Sequence, residues 1–401
     1  MKKDNVYGSF GILTKDEMLE VKKDFKKLKI GIPKEISFQE NRISLTPDAV
    51  SLLVHNGHNV LIESNAGKGS NFSDVEYSEA GAEIVYTKEE VYESDVIVKI
   101  EPPTNLELKL LKKDQQLISA IQLETREKKY FKSLLEKNIT SLAIEHIRDD
   151  EEKLPLLRSM SEIAGTSALL IASEYLSNIN KGKGLILGGI TGVSPTDVVI
   201  IGAGTVGEYA CKTAIGLGAN VRVFDTSLSR LKRLEDISNR NISTSIILPK
   251  SLRKALRRAD VVVGALRSGD GRTPCVVSEE MIKNMKEGSV IIDVSIDSGG
   301  CFETSEVTSH KNPVFTKHGV IHYCVPNIAS RVARTSSFAI CNVISPLLIK
   351  MGEEGGINNL IKTDEGIRSS IYTFKNMMTN KTLSKMFNFP YKDLDLIITA
   401  L

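Results

Sequence analysis

Three groups of residues in the chain are of types, and at spacings, that could do chemistry together. The first lies in "DVVIIGAGTVGEYACKTAIGLGANVRVFD", where Gly202, Gly204 and Gly207 form G-x-G-x-x-G between an apolar run and a helical one. The first glycine permits a tight turn, and the second lets backbone approach a pyrophosphate. The third lets helix and strand pack closely, leaving the phosphates at a helix N-terminus. Asp225 closes the next apolar run, where a carboxylate accepts hydrogen bonds from ribose hydroxyls and repels a 2′-phosphate. NAD is therefore expected over NADP, although Arg230 nearby is the residue type a 2′-phosphate would need. The second group is Arg42 in "QENRISLTP" and Lys99 in "VIVKIEPP", a cation inside an apolar run. An arginine for a carboxylate and a lysine for a polarised carbonyl would suit a 2-oxo or 2-amino acid. The third is "IIDVSIDSGGCFE", in which Asp297 is either a turn-forming acid bonded to the glycine amides or a carboxylate aimed at a substrate.

Positioning these residues requires an α/β framework. "KIGIPKE", "HNVLIES", "SDVIVKIEPP", "QLISAIQLE" and "TSLAIEHI" read as strands, with helices such as "TPDAVSLLVHNG" between them. That alternation indicates a parallel sheet. A second, cleaner set runs from Thr196 to about Asn327: "DVVIIGAG", "NVRVFD", "TSIIL", "ADVVVGAL", "GSVIIDVS" and "VIHYCVPN". The expected fold is α/β, with two Rossmann-like domains and parallel sheets. A long helix is expected over 159–177 with Ser161 as its N-cap, an amphipathic helix over 15–27, and a helical tail from about Ser330. "AGKGS" only imitates a phosphate loop, because Gly69 stands where Ser or Thr is required.

Composition narrows the class. A chain of 401 residues exceeds one compact core, so two domains are expected. A net charge of +2 argues against nucleic acid or membrane surfaces as partners. Five cysteines with no CxxC pair suit free thiols in a reducing cytoplasm and offer no metal framework. The N-terminus lacks the apolar run of a signal peptide, and no uninterrupted apolar stretch suits a membrane helix.

In their order along the chain, "GIPKEI…ENRISLTPDAV", "GKGSNFSDVEY…AGAEIV", "VIVKIEPP", "MSEIAG", "VVIIGAGTVGEYA", "VIIDVSIDSGGCFETS" and "HYCVPNIASRVARTSSFAICN" resemble the alanine dehydrogenase family, which also holds the NAD-binding subunit of proton-translocating transhydrogenase. The resemblance runs from about Lys29 to about Met351. It implies a substrate domain built from both chain ends (28–156 and 331–401), an inserted NAD domain (157–330), and an N-terminal extension (1–27). It implies reversible, NAD-dependent oxidative deamination of L-alanine to pyruvate and ammonia, in a cytoplasmic homo-oligomer, a hexamer in many members. Arg42 matches the residue that clamps the substrate carboxylate, Lys99 the one that binds its oxygens, and Asp297 the aspartate that handles protons near the nicotinamide. Ser161, Thr205, Val206, Asp225, and the stretch with Val325, Asn327 and Ile328 match cofactor contacts. Leu266 and Arg230 are added to that set.

Two departures stand out. The family's usual histidine is replaced by Gln122, and its usual arginine after "MSEIAG" by Thr166. Glutamine orients a substrate by hydrogen bonds but accepts no proton at neutral pH. Proton transfer would then fall to Asp297 or Lys99, with Gln122 as a hydrogen-bonding substitute. None of the six histidines is an obvious replacement, His146 included. The loop "LRSGDGRTP" also departs from the family's usual form. The rival readings are a transhydrogenase subunit, a dehydrogenase for another 2-oxo acid, and an NAD binder without catalysis.

Overall fold

The structure, a computed structural model, describes residues 25–122, 126–267 and 272–399. Six parallel strands open it: β1 (Lys29–Ile32), β2 (Asn59–Glu63), β3 (Glu83–Val85), β4 (Val96–Val98), β5 (Gln116–Ser119) and β6 (Thr140–Ala143). They lie side by side in the order β3-β2-β1-β4-β5-β6. A second sheet takes β7 (Asp197–Ile201), β8 (Asn220–Asp225), β9 (Ser243–Ile246), β10 (Val261–Gly264), β11 (Val290–Asp293), β12 (Val314–Lys317) and β13 (Val320–Tyr323). Its order is β9-β8-β7-β10-β11-β13-β12. The central strands β4, β10 and β11 are buried along their whole length. Each buried Val or Ile contributes about 1.5–3 kcal/mol relative to exposure, so these runs need helices over both faces.

Neither sheet is purely parallel. β12 pairs antiparallel with β13. The tail, expected to be helical, contributes β14 (Ile371–Phe374) and β15 (Met377–Met378), which extend the first sheet antiparallel beyond β6. "IYTF" is a buried β-branched and aromatic run, and the Lys375–Asn376 turn, with Lys375 at φ 53°, returns the chain as a hairpin.

In both sheets the order reverses beside the first strand, between β1 and β4 and again between β7 and β10. Ligand crevices form at such switch points, beyond the carboxyl ends of the strands.

The long helix spans Pro155–Leu176, earlier than expected. Proline suits a first helical turn because its missing N–H is not needed there. Ser161 is therefore no N-cap: it sits inside the helix, and its Oγ donates to the Leu157 carbonyl at 2.7 Å. At Gly165 this helix meets the Thr205–Gly216 helix so closely that a Cβ would lie 2.3 Å from the Val206 oxygen. The stretch Ile328–Glu353 is long and apolar enough to cross a membrane by length and composition, with half of its apolar window buried. Ile340, Ile344, Leu347, Leu348 and Met351 pack there in one core with Val50 and Leu53. The helix expected over 15–27 lies outside the described residues except at 25–27, which are not helical.

Candidate active site

The switch point of the first sheet gathers charge. The loop after β1 supplies Glu35, Glu40 and Arg42, and the segment after β4 supplies Lys99 and Glu101. Arg42 is buried and grips Glu40 with two hydrogen bonds, Nε to Oε1 at 2.8 Å and Nη2 to Oε2 at 2.5 Å. Burial alone would raise the Glu40 pKa, but the bonds from Arg42 outweigh it and hold the carboxylate below its ordinary value. The remaining guanidinium nitrogen, Nη1, faces the Met160 thioether at 3.5 Å. That edge is the one on which a carboxylate could dock.

Lys99 lies at the inner edge of this cluster, against Glu35. Its Nζ is sealed at 1% side-chain exposure, 2.7 Å from Glu107 Oε1 and 3.4 Å from Glu35 Oε2. Burial would lower its pKa, but the two carboxylates outweigh that and raise it, so the ammonium stays charged as an internal ion-pair partner. Lys99, expected to bind the substrate's oxygens, is held here by Glu107 and Glu35.

Glu101, two residues on, lies between Arg42 and Gln122. Its Oε1 lies 3.9 Å from Arg42 Nη2, and its Oε2 accepts from Gln122 Nε2 at 2.5 Å. Burial first, then the negative charge of Glu40, push its carboxyl up to about 7. β5 ends at Ser119, so Gln122 stands beyond the strand in a left-handed conformation, φ 49°. Residues 123–125 of the expected strand lie outside the described residues. Glu145, just after β6, accepts from the Ile121 amide at 2.8 Å and the Gln122 amide at 3.4 Å. Glu101 was missed because Lys99 drew the attention. An acid directly before a double proline, at the carboxyl end of a central strand, was the available signal.

The second sheet presents the glycine loop at its own switch point. Gly202 has φ +119°, a conformation that favours glycine. A Cβ on Gly207 would sit 1.9 Å from the Gly202 carbonyl, whereas one on Gly204 would meet nothing within 4 Å. Close packing thus explains the third glycine, and open space on the loop's outer side explains the second. Gly204 caps the Thr205–Gly216 helix without a side chain, so the first-turn amides of Thr205 and Val206 point into that space. The arrangement fits a pyrophosphate. Asp225 is buried, with Oδ2 accepting from the Ala203 amide at 2.6 Å and Oδ1 from the Ser227 amide at 2.7 Å, which ties it to the loop. Arg230 is exposed on the following helix, and Leu266 is half-buried just after β10, next to Gly202.

The two sheets meet around Asp297. β11 ends at Asp293, and Asp297 lies in the 3-10 turn Val294–Ser298. The two acids of this segment have divided the roles. Asp293 is the buried turn-former: it accepts from the Ser295 and Cys301 amides and from Ser305 Oγ at 2.7 Å. Burial moves its carboxyl up to about 6 against those bonds. The Gly299 and Gly300 amides bond to the Ile296 and Ser295 carbonyls. Asp297 is left exposed toward the cleft, and its Oδ1 accepts from the Asn327 amide at 2.9 Å. Although the residue keeps solvent access, the protein packed around its carboxyl raises its pKa, opposed by that amide and by the charges of Arg42 and Arg267. Asn327, left-handed at φ 56°, also donates from Nδ2 to Glu40 Oε2 at 2.9 Å. Val325 and Ile328 beside it are buried. One residue therefore links Asp297 to the Arg42–Glu40 pair.

The chain is similar to known proteins along most of its length. Residues 31–164 match the family model "Alanine dehydrogenase/PNT, N-terminal domain", and residues 168–381 its C-terminal counterpart. Alanine dehydrogenase 2 of Staphylococcus aureus is 39% identical over 92% of this chain and 99% of its own length. The alanine dehydrogenase of Staphylococcus epidermidis gives the same figures, 39%, 92% and 99%. A solved L-alanine dehydrogenase superposes with a TM-score of 0.84 at 34% identity, covering 90% of this chain and 99% of that one. A transhydrogenase from Sinorhizobium meliloti shares the fold, with a TM-score of 0.76 at 22% identity over 88% and 99% of the two chains.

Proposed function

Because the chain belongs to the alanine dehydrogenase/PNT family, we propose that it catalyses the reversible oxidative deamination of L-alanine to pyruvate and ammonia with NAD. The observation that carries this reading is Asn327, which hydrogen-bonds both Glu40 of the arginine pair and Asp297 of the dinucleotide side. A carboxylate binder and a nucleotide cradle so joined suit a small amino acid beside a nicotinamide. In this reading residues 28–156 and 331–401 bind substrate, and residues 157–330 bind the cofactor.

The glycine loop, Gly202 to Gly207 with Thr205 and Val206, holds the pyrophosphate, and Asp225 receives the adenosine ribose. Arg230 lies at the rim, and Ser161, Leu266, Val325, Asn327 and Ile328 line the nicotinamide side. The dinucleotide supplies a hydride acceptor, and the protein supplies position and charge. Arg42 holds the substrate carboxylate through the edge that Glu40 leaves open. Lys99 keeps Glu35 and Glu107 in place behind it. Gln122 orients by hydrogen bonds, and Asp297 assists the water that enters the imine. We place the enzyme in the cytoplasm as a homo-oligomer, a hexamer by analogy with the family, with no nucleic acid or membrane partner.

The test follows NADH absorbance with pyruvate and ammonium, alongside glyoxylate, 2-oxobutyrate and a control without ammonium. Ammonium-dependent oxidation, fastest with pyruvate, is the expected result. Protein that binds NADH yet oxidises it with none of these would refute the dehydrogenase reading and favour a transhydrogenase subunit or a non-catalytic binder.

A further inference from the structure

One carboxylate in the substrate cluster has no part in the mechanism so far. Glu101 lies between Arg42, which would hold the substrate carboxylate, and Gln122, which stands where the family has its histidine. In an amino acid the ammonium and the carboxylate branch from one carbon. Glu101 lies 3.9 Å from Nη2, next to the Nη1 edge on which that carboxylate would dock, within the short reach of an ammonium on the same carbon. We propose that Glu101 is a catalytic residue, the base that takes a proton from the substrate ammonium and the acid that returns it to the departing ammonia. The proposal rests on the dehydrogenase reading.

The surroundings suit that task. Gln122 donates to Oε2 at 2.5 Å and fixes the carboxylate, while Oε1 is turned toward Arg42. Gln122 is itself held by its backbone, through Glu145. Glutamine can be such a donor but not a proton acceptor, so the pair divides between two side chains what one histidine does alone. The charged groups facing Glu101 are Arg42, Glu40 and Glu35, all from the segment after β1. Across the cleft, Arg42 also acts on Asp297. Burial and the two neighbouring carboxylates outweigh Arg42 and raise Glu101 to about 7, a value at which a group exchanges protons readily at neutral pH.

The protons balance. Glu101 as carboxylate removes one proton from the ammonium, and the freed nitrogen lone pair forms the C=N bond. The Cα–H electron pair leaves as hydride, so the substrate is oxidised by two electrons and NAD is reduced. Water adds to the imine carbon and its proton passes to Asp297. As the C–N bond breaks, the nitrogen takes the proton back from Glu101 and leaves as ammonia. The hydroxyl proton is lost to solvent as the carbonyl forms, and Asp297 releases its own. Glu101 ends as it began.

The pH dependence of kcat/KM for deamination tests this, since it reports the groups of the free enzyme and the base must be ionised there. The wild type should show an acid limb with an apparent pKa near 7. Glu101→Gln should lower kcat by about 100-fold or more, remove that limb, and leave NADH binding, read by fluorescence, intact. Glu101→Asp should retain a limb, displaced, with an intermediate rate. A Glu101→Gln enzyme that keeps both the rate and the limb overturns the proposal and leaves the dehydrogenase reading standing. If Glu101→Gln fails to bind NADH, Glu101→Asp decides, and an unchanged rate and limb there also overturns the proposal. A wild type with no turnover on any 2-oxo acid overturns both readings together.

Discussion

The two sides of the cleft are built in opposite ways. The proposed pyrophosphate and ribose site comes from one continuous stretch, residues 197–225, in which strand, glycines, helix, second strand and acid follow in order. Its working groups are largely backbone amides and missing Cβ atoms. The substrate side is assembled from separated segments around Glu35, Arg42, Glu101, Gln122 and Glu145, and it is held by side-chain charge. A backbone-built site tolerates few changes and so keeps a readable signature. A charge-built site can exchange one polar group for another, provided each buried charge keeps a partner.

The largest expected effect separates structural charge from working charge. Lys99→Met should cost about 3–5 kcal/mol of stability, because it leaves Glu35 and Glu107 buried without their cation. Urea unfolding would read the loss, and activity per folded molecule should survive. Loss of turnover at unchanged stability would return Lys99 to the substrate.

Next in size is a pH effect on stability. A carboxyl whose pKa rises on folding from 4.5 to about 7 binds its proton more tightly in the folded state. Stability therefore falls as pH rises through that window, by about 1–3 kcal/mol for Glu101. Glu101→Gln should flatten this part of the curve, so the variant gains on the wild type at pH 8 and not at pH 4. Parallel melting curves at both pH values would show that the shift is absent.

On the nucleotide side the expected effects are smaller. Asp225→Ser should reduce the preference for NADH over NADPH about tenfold, or ~1.4 kcal/mol. An unchanged ratio of dissociation constants would mean that Asp225 serves only the loop amides. Smallest is Ser161→Ala, expected within about 0.5 kcal/mol of the wild type by thermal melting. A helix cap in that position would have cost about 1 kcal/mol.

Legibility followed the same divide. Six strands of the second sheet could be read, most of them apolar runs closed by glycine or a polar turn, and Asp225 because it follows the glycines at a fixed distance; β12, a half-exposed edge strand, was not read. β14 was hidden by the helical segments around it, since a four-residue strand leaves little periodic signal. Ser161 misled because a serine before an apolar stretch resembles a cap, while the true start was marked by Pro155. Lys99 was rightly noticed as a buried cation, but its destination depended on Glu107, eight residues further on. Glu101 carried only the faint signal of an acid before a double proline, because its meaning comes from Arg42 and Gln122, 59 and 21 positions away in the chain.

The long helix that begins at Pro155 touches both sides of the cleft. Met160 lies against Arg42, and Gly165 receives the first turn of the glycine-loop helix. Five residues of α-helix separate these two points, a rise of about 7.5 Å. This helix is a measuring rod between the anchor for the carboxylate and the anchor for the phosphates. One inserted residue would turn Met160 and Gly165 about 100° out of phase, so neither anchor can be moved alone.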